Sequence, residues 1–288
     1  MEEYLKKYLI LVLLSLIWGS SFILMKKGLE FYSFTQVAAL RLFFASIALF
    51  PFLYKAIKEV KQHDIIPLII VGVIGNGIPA FLFAEAQIYL ESSVIGILNS
   101  LTPIFTLVFA ILFFKYKYKT SIFIGVIFGF LGACLLYFQP YIYSSTQYTF
   151  LSFVVLATIC YAISINVISR YLHTLSSITI STVSLFLLTP FSLYYIFNSG
   201  FFSMLKSNEA FLGLGYISIL GVIGTAFALI IFNYLIKIST SIFAASVTYL
   251  IPIVAIIWGV LDGEEITSFE VFATFFILIG VYLVNKKD

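Results

Sequence analysis

The chain has 288 residues, of which 62% are hydrophobic and 10% charged, with a formal net charge of +3. Soluble domains run nearer ~45–50% apolar and ~25% charged, so this composition cannot build a water-soluble shell. The mild positive charge, with no basic run interleaved with aromatics, argues against nucleic-acid binding, and the 32 Phe and 19 Tyr suit a lipid-facing surface.

A helix needs roughly 20 residues to cross a ~30 Å hydrocarbon core. Ten stretches qualify, at 8–25, 34–54, 66–88, 92–114, 120–139, 149–169, 176–197, 211–235, 240–260 and 268–285. They are read as helices because backbone amides in lipid must be satisfied internally, and the ten-residue alternation of a β-barrel is missing. Met1 to Lys7 precede the first stretch, which has no small-x-small cleavage site and reads as an uncleaved span.

In the first span, Trp18 sits at mid-depth with Ser15, Ser21 and Phe22. An indole this far from the interfacial belt asks for a hydrogen-bond partner or a cavity. Arg41, in the second span, either snorkels to the interface or pairs within the bundle. Gly72, Gly75, Asn76 and Pro79 cluster on the third span, and Glu85 follows toward its outer end. Glu85 is the acidic residue best placed for proton coupling, against the plainer reading of an interfacial carboxylate. On the fourth span Ser92, Gly96, Asn99, Pro103 and Thr106 share one face. Pro103 can kink the helix by freeing a carbonyl one turn earlier.

Past the loop Lys115-Tyr116-Lys117-Tyr118-Lys119, Tyr161 occupies a place in the sixth span comparable to that of Trp18, with Ser164 and Asn166 nearby. Shifting the sequence by 149 residues lays the third and fourth spans on the eighth and ninth. Gly72 then meets Gly221, Ile74-Gly75 meets Ile223-Gly224, Asn76 meets Thr225, and Pro103-Ile104 meets Pro252-Ile253. The striped face becomes Ser241, Ala245, Thr248, Pro252 and Ala255. Small residues on such a face permit close helix packing. Buried amides such as Asn99, Asn76, Asn166 and Asn233 either bond a neighbouring helix or face a wet cavity. Tyr249 and Trp258 in the ninth span are further aromatic candidates.

Five spans per half is an odd number, so the second half enters the membrane from the opposite side. The expected fold is therefore an all-α integral membrane protein of ten transmembrane helices in two inverted five-helix repeats, 1–140 and 141–288. The loop after span four is basic and its mate, Asp262-Gly263-Glu264-Glu265, is acidic, as opposite sides of a membrane require. With the N-terminus cytoplasmic, twelve Lys and Arg fall on inner segments, while only Lys26, Lys27 and Lys206 fall outside. Both termini are expected in the cytoplasm.

Cys134 and Cys160 lie in apolar stretches without a ligand-spaced partner and read as buried thiols. His63 and His173 fall in loops outside any metal pattern, no Asp lies within a span, and no phosphate-binding G-x-x-x-x-G-K-[ST] loop occurs. No cofactor or metal is expected. A carrier of a small solute in the lipid bilayer is the leading reading. An integral membrane enzyme would concentrate ionisable groups, and a channel would show a filter or charged ring. Coupling to a proton or other ion, and a monomeric or homodimeric state, stay open.

Four segments carry a family likeness. They are Leu16-Ile17-Trp18-Gly19-Ser20-Ser21-Phe22, Leu40-Arg41-Leu42-Phe43-Phe44-Ala45, Gly75-Asn76-Gly77-Ile78-Pro79-Ala80-Phe81-Leu82-Phe83-Ala84-Glu85-Ala86, and Leu98-Asn99-Ser100-Leu101-Thr102-Pro103-Ile104-Phe105-Thr106. In order across the chain, they resemble the drug/metabolite transporter superfamily, specifically its EamA-type ten-span members. The resemblance implies an EamA-like repeat in each half and a central cavity shared by spans 1, 3, 4, 6, 8 and 9. It also implies alternating access, a bacterial-type inner membrane, and export or exchange of small metabolites, amino acids being common substrates. Carried onto this chain, the substrate-binding candidates are Trp18, Asn76, Glu85, Asn99, Tyr161, Asn233 and Tyr249, with Pro103 and Pro252 as gating kinks. One position departs. The Gly-Glu pair ending the fourth span of each half is present at Gly263-Glu264, but Phe114-Lys115 stands in the first half.

Overall fold

A computed structural model describes residues 2–114, 120–137, 144–205 and 208–285. The basic loop from Lys115 to Lys119, Lys206 and the C-terminal lysines lie outside the described residues, as does the side chain of Cys134. The described chain is helical, with no strand.

Eight segments are long and apolar enough to cross a membrane: Leu5–Leu29, Phe34–Glu59, Gln62–Ala86, Ser92–Phe113, Ser145–Tyr171, Ser177–Asn198, Glu209–Ile238 and Ser241–Leu261. They are called α1, α2, α3, α4, α6, α7, α8 and α9. Two 18-residue helices, α5 (Thr120–Tyr137) and α10 (Ser268–Asn285), pack chiefly against each other. A methyl group added at Gly132 would lie 2.8 Å from the Ala273 carbonyl, so that pair depends on small residues for backbone approach.

Local sequence sets the helix ends. Ser33 and Ser176 cap α2 and α7 by accepting from the amides of Gln36 and Thr179, and Thr240 caps α9 through Phe243. Pro51, Pro79, Pro190 and Pro252 each sit in the first turn of a helical segment, where a missing N–H costs nothing. Large apolar side chains such as Leu112, Phe113, Tyr194, Phe211, Leu261 and Phe275 point outward, as lipid contact allows.

Several of the long segments depart from smooth α geometry, four of them around the cavity described below. The π-helical stretch Val73–Gly77 interrupts α3, and Val222–Phe227 interrupts α8 at the matching position 149 residues on. Each wide turn leaves a carbonyl that a side chain five residues later satisfies. Asn76 Nδ2 donates to Val71 O at 2.8 Å, and Thr225 Oγ1 donates to Leu220 O at 3.0 Å. α9 breaks into Ser241–Ala245, a 3₁₀ turn Ser246–Tyr249, and Ile251–Leu261.

α4 tightens likewise, into Ser92–Asn99 and Thr102–Phe114 joined by a turn at Ser100 and Leu101. The expected kinks at Pro103 and Pro252 are thus located more finely: both prolines begin the second segment of a broken helix. Thr102 Oγ1 donates to Asn99 O at 2.8 Å, satisfying the carbonyl that Pro103 cannot reach.

The bundle is interleaved. α1 packs on α8 and α9, whereas α6 packs on α3 and α4. Glycines permit the tightest crossings. A Cβ at Gly224 would approach Ser21 Oγ to 2.7 Å, and one at Gly75 would overlap Ser164 Oγ. A Cβ at Gly221 would lie 2.7 Å from Arg41 O, and one at Gly72 would lie 2.6 Å from Ser184 O.

Candidate functional site

The discontinuities converge on one cavity. It holds about 920 Å³ of empty space, its open mouth included, and is walled by side chains of α1, α2, α3, α4, α6, α7, α8 and α9. Of the substrate-binding candidates, Trp18, Asn76, Asn99, Tyr161 and Asn233 line it, and Glu85 and Tyr249 do not. Glu85 is partly buried elsewhere on α3. Tyr249 is 3% exposed in the 3₁₀ turn of α9, and its hydroxyl has no hydrogen-bond partner among the described residues. Asn166 bonds Thr106 O and Ala162 O, both at 2.9 Å, and serves helix packing.

The striped face of α4 divides. Asn99 reaches the cavity, whereas a Cβ at Gly96 would lie 2.6 Å from Ala255 Cβ, so that part of the stripe is a contact between α4 and α9. Thr248 lines the cavity from α9.

Two of the lining side chains, Trp18 and Arg41, are held at the widened turn of α8. Trp18 Nε1 donates to Gly224 O at 3.0 Å, a carbonyl within the π-helical turn of α8. The indole also meets Phe232 edge-on at 4.9 Å. Phe83 stacks on Tyr161 at 5.7 Å and lies 5.9 Å from Phe22, forming an aromatic panel. Asn233 Nδ2 donates to Ser181 Oγ at 2.8 Å. Arg41 neither snorkels to the interface nor forms an ion pair among the described residues. It lines the cavity, and its Nε donates to Thr225 Oγ1 at 2.8 Å.

The lining residues recur in register. The 149-residue shift pairs Gly75 with Gly224, Asn76 with Thr225, Phe83 with Phe232 and Asn99 with Thr248. A second shift, of 143 residues, pairs Trp18 with Tyr161, Ser21 with Ser164, Phe22 with Ile165, Met25 with Ile168 and Arg41 with Ser184. These nine pairs account for 18 of the 22 lining residues, so the cavity is built twice from corresponding positions. Sequence reading placed Tyr161 against Trp18 but missed Ser184 and Thr102. A small polar residue on an apolar helix carries no signal of its own.

At one end of the bundle a charged latch joins α1, α4 and α9. Lys26 pairs with Asp262 and Glu264, and Lys27 pairs with Asp262 and Glu30, each at 2.8 Å. Glu264 also accepts from the Ser92 and Ser93 amides at the start of α4, at 3.0 and 3.1 Å. Gly263 takes φ 87° to turn the chain back after α9, a conformation that favours glycine. The Lys26 and Lys27 ammonium groups hold the Asp262 carboxyl below the usual carboxylate range. For Glu264, burial is the largest single influence and favours the neutral acid. Lys26 and the two amides together outweigh it and leave the carboxyl below its ordinary value.

A model of the EamA-like transporter family matches residues 5–138 and 149–286. The chain belongs to that family. A protein of Archaeoglobus fulgidus described as an uncharacterized transporter is 26% identical over 287 residues, covering 98% of this chain and all of its own. The Escherichia coli inner membrane transporter YedA, also described as uncharacterized, is 25% identical over 95% of this chain and 91% of its own. A solved crystal structure superposes with a TM-score of 0.68 over 97% of this chain and 96% of the other, at 12% identity, a likeness of fold. This EamA-like protein is thus an integral membrane protein with transporter relatives. Among its described residues no cluster of His, Cys, Asp or Glu could hold a metal ion.

Proposed function

We propose that this protein is a secondary carrier that exports or exchanges a small organic metabolite, amino acids being the first class to test, by alternating access. The observation that carries the reading is a cavity lined in nine corresponding pairs, at the level where α4 and α9 break and α3 and α8 widen. Paired linings and discontinuous helices at a midpoint site are the architecture of inverted-repeat carriers. π-Helical turns also concentrate at functional sites.

In this reading α5 and α10 complete ten spans, each half supplies five, and both termini are cytoplasmic in an inner membrane. Lys26 and Lys27, the described outer lysines that run against the positive-inside pattern, are neutralised by Asp262, Glu264 and Glu30, which removes the conflict. The lining includes an aromatic panel and several amides and hydroxyls, suited to an amphipathic solute.

The test is counterflow. Purified protein in liposomes preloaded with unlabelled solute should accumulate the labelled form, saturably, in the absence of ATP. A conductance without exchange would point instead to a channel.

A further inference from the structure

We propose that Arg41 is the docking point for a single carboxylate on the transported solute. The inference rests on the carrier reading and names the chemical class that the cavity takes.

Arg41 is the only ionisable side chain of formal charge at neutral pH in the described lining, which contains no Asp, Glu or Lys. A charge in an apolar enclosure is costly without a counter-charge. Among the described residues Arg41 makes one hydrogen bond, donating from Nε to Thr225 Oγ1 at 2.8 Å. Thr225 in turn donates its hydroxyl proton to Leu220 O, just ahead of the widened turn of α8, which leaves its oxygen to accept from Arg41. The four Nη hydrogens then remain for a ligand, and their planar fork matches a carboxylate in two parallel hydrogen bonds.

Pairing sharpens the assignment. The counterpart of Arg41 under the 143-residue shift is Ser184, which also lines the cavity but is uncharged. An otherwise duplicated wall therefore holds one positive charge, on one side. One carboxylate neutralises it, whereas a dianion would leave a net negative charge among Trp18, Phe22, Phe83 and Phe232. Those rings suit the apolar body of the solute. Thr102, at the head of the second segment of α4, also faces the cavity, so that helix presents its positive end to the same space.

The probes are matched acid and carboxamide pairs on linear, branched and aromatic tails, with and without an α-amino group. Binding to the purified full chain is read by thermal shift. The acids should bind about 10- to 100-fold more tightly than their amides, the range expected of a hydrogen-bonded charge pair. Dicarboxylates of the same length should bind more weakly than the monoacids. Arg41→Gln should abolish the acid preference, and Arg41→Lys should retain part of it. The proposal is overturned if amides match acids, if no acid in the panel binds, if dicarboxylates bind more tightly, or if Arg41→Gln keeps the preference. Should Arg41→Gln fail to fold, the acid–amide comparison on the unmodified chain decides alone. Exchange assays separate this inference from its foundation. Acids that bind but do not exchange reject the carrier and leave the Arg41 site standing. Exchange of solutes with no acid preference does the reverse.

Discussion

Adding one methyl group at Gly224 tests how closely α8 rides on α1. Its Cβ would lie 2.7 Å from Ser21 Oγ, but 3.7 Å from Ser21 Cβ, which is ordinary contact. The severe clash is thus with one hydroxyl oxygen, and the helices must separate by several tenths of an ångström to relieve it; the flexible end of Leu220, whose Cδ1 would lie at 3.3 Å, need shift only slightly. Overpacking of this kind costs about 1–3 kcal/mol. The helix preference of alanine over glycine returns up to about 1 kcal/mol, so Gly224→Ala alone should lose roughly 0–2 kcal/mol. The coupling is the sharper quantity. Ser21→Ala removes the offending oxygen and gives up only its bond to Ile17 O. In the double variant the clash is gone, and the cycle should show about 1–2 kcal/mol of favourable interaction. The contrast is Gly221→Ala, whose Cβ would meet the Arg41 backbone carbonyl at 2.7 Å, where no side-chain trimming helps. Unfolding of purified protein in mixed micelles, followed by Trp fluorescence, measures all of these. Additive single and double variants, or a Gly221→Ala as stable as the parent, would refute the packing argument.

Asn99→Phe and Thr248→Phe should each cut solute exchange at least tenfold while eluting as folded protein on gel filtration, since both positions line the cavity. Normal exchange by both variants rejects that assignment. Asn166→Ala should lower stability by about 1–3 kcal/mol, because two side-chain hydrogen bonds are lost, one of them between α6 and α4, yet leave solute affinity unchanged. The latch should make stability depend on pH. Asp262 and Glu264 have folded-state values below their unfolded ones, so they stabilise the protein above the unfolded carboxylate range, and that contribution fades as pH falls through the folded values. Burial raises the nearby Glu91 carboxyl, which works in the opposite direction. A melting temperature that drops on acidification, and drops less in Asp262→Asn, is the expected result; identical profiles for the two proteins would count against the latch.

Span positions and the duplicated third and fourth helices were legible because apolar length and co-located prolines survive in the sequence. Asn76 and Asn99 were also legible, as amides in an apolar setting. Glu85 lies outside the cavity lining, on the part of α3 that follows the widened turn Val73–Gly77, a departure from the uniform 3.6-residue helix that sequence periodicity assumes. Tyr249 also lies outside the lining, at the end of the 3₁₀ turn Ser246–Tyr249, which departs from the α periodicity that the sequence suggests. Arg41 stood out as a charge in a span, but its orientation depends on Thr225, 184 residues away, and no local pattern encodes that bond.

The glycine crossings bear on how the chain divides into parts. Gly221 and Gly224 seat α8 on α2 and α1, while Gly72 and Gly75 seat α3 on α7 and α6. Each contact joins a helix from before residue 140 to one from after it. The units most tightly fastened are therefore mixed, one gathered around α1 and the other around α6, and the covalent halves are not the mechanical ones. Severing the chain between α5 and α6 would yield two fragments, each missing the surface on which its own first helix rests. Such fragments should assemble when made together and fail when made apart.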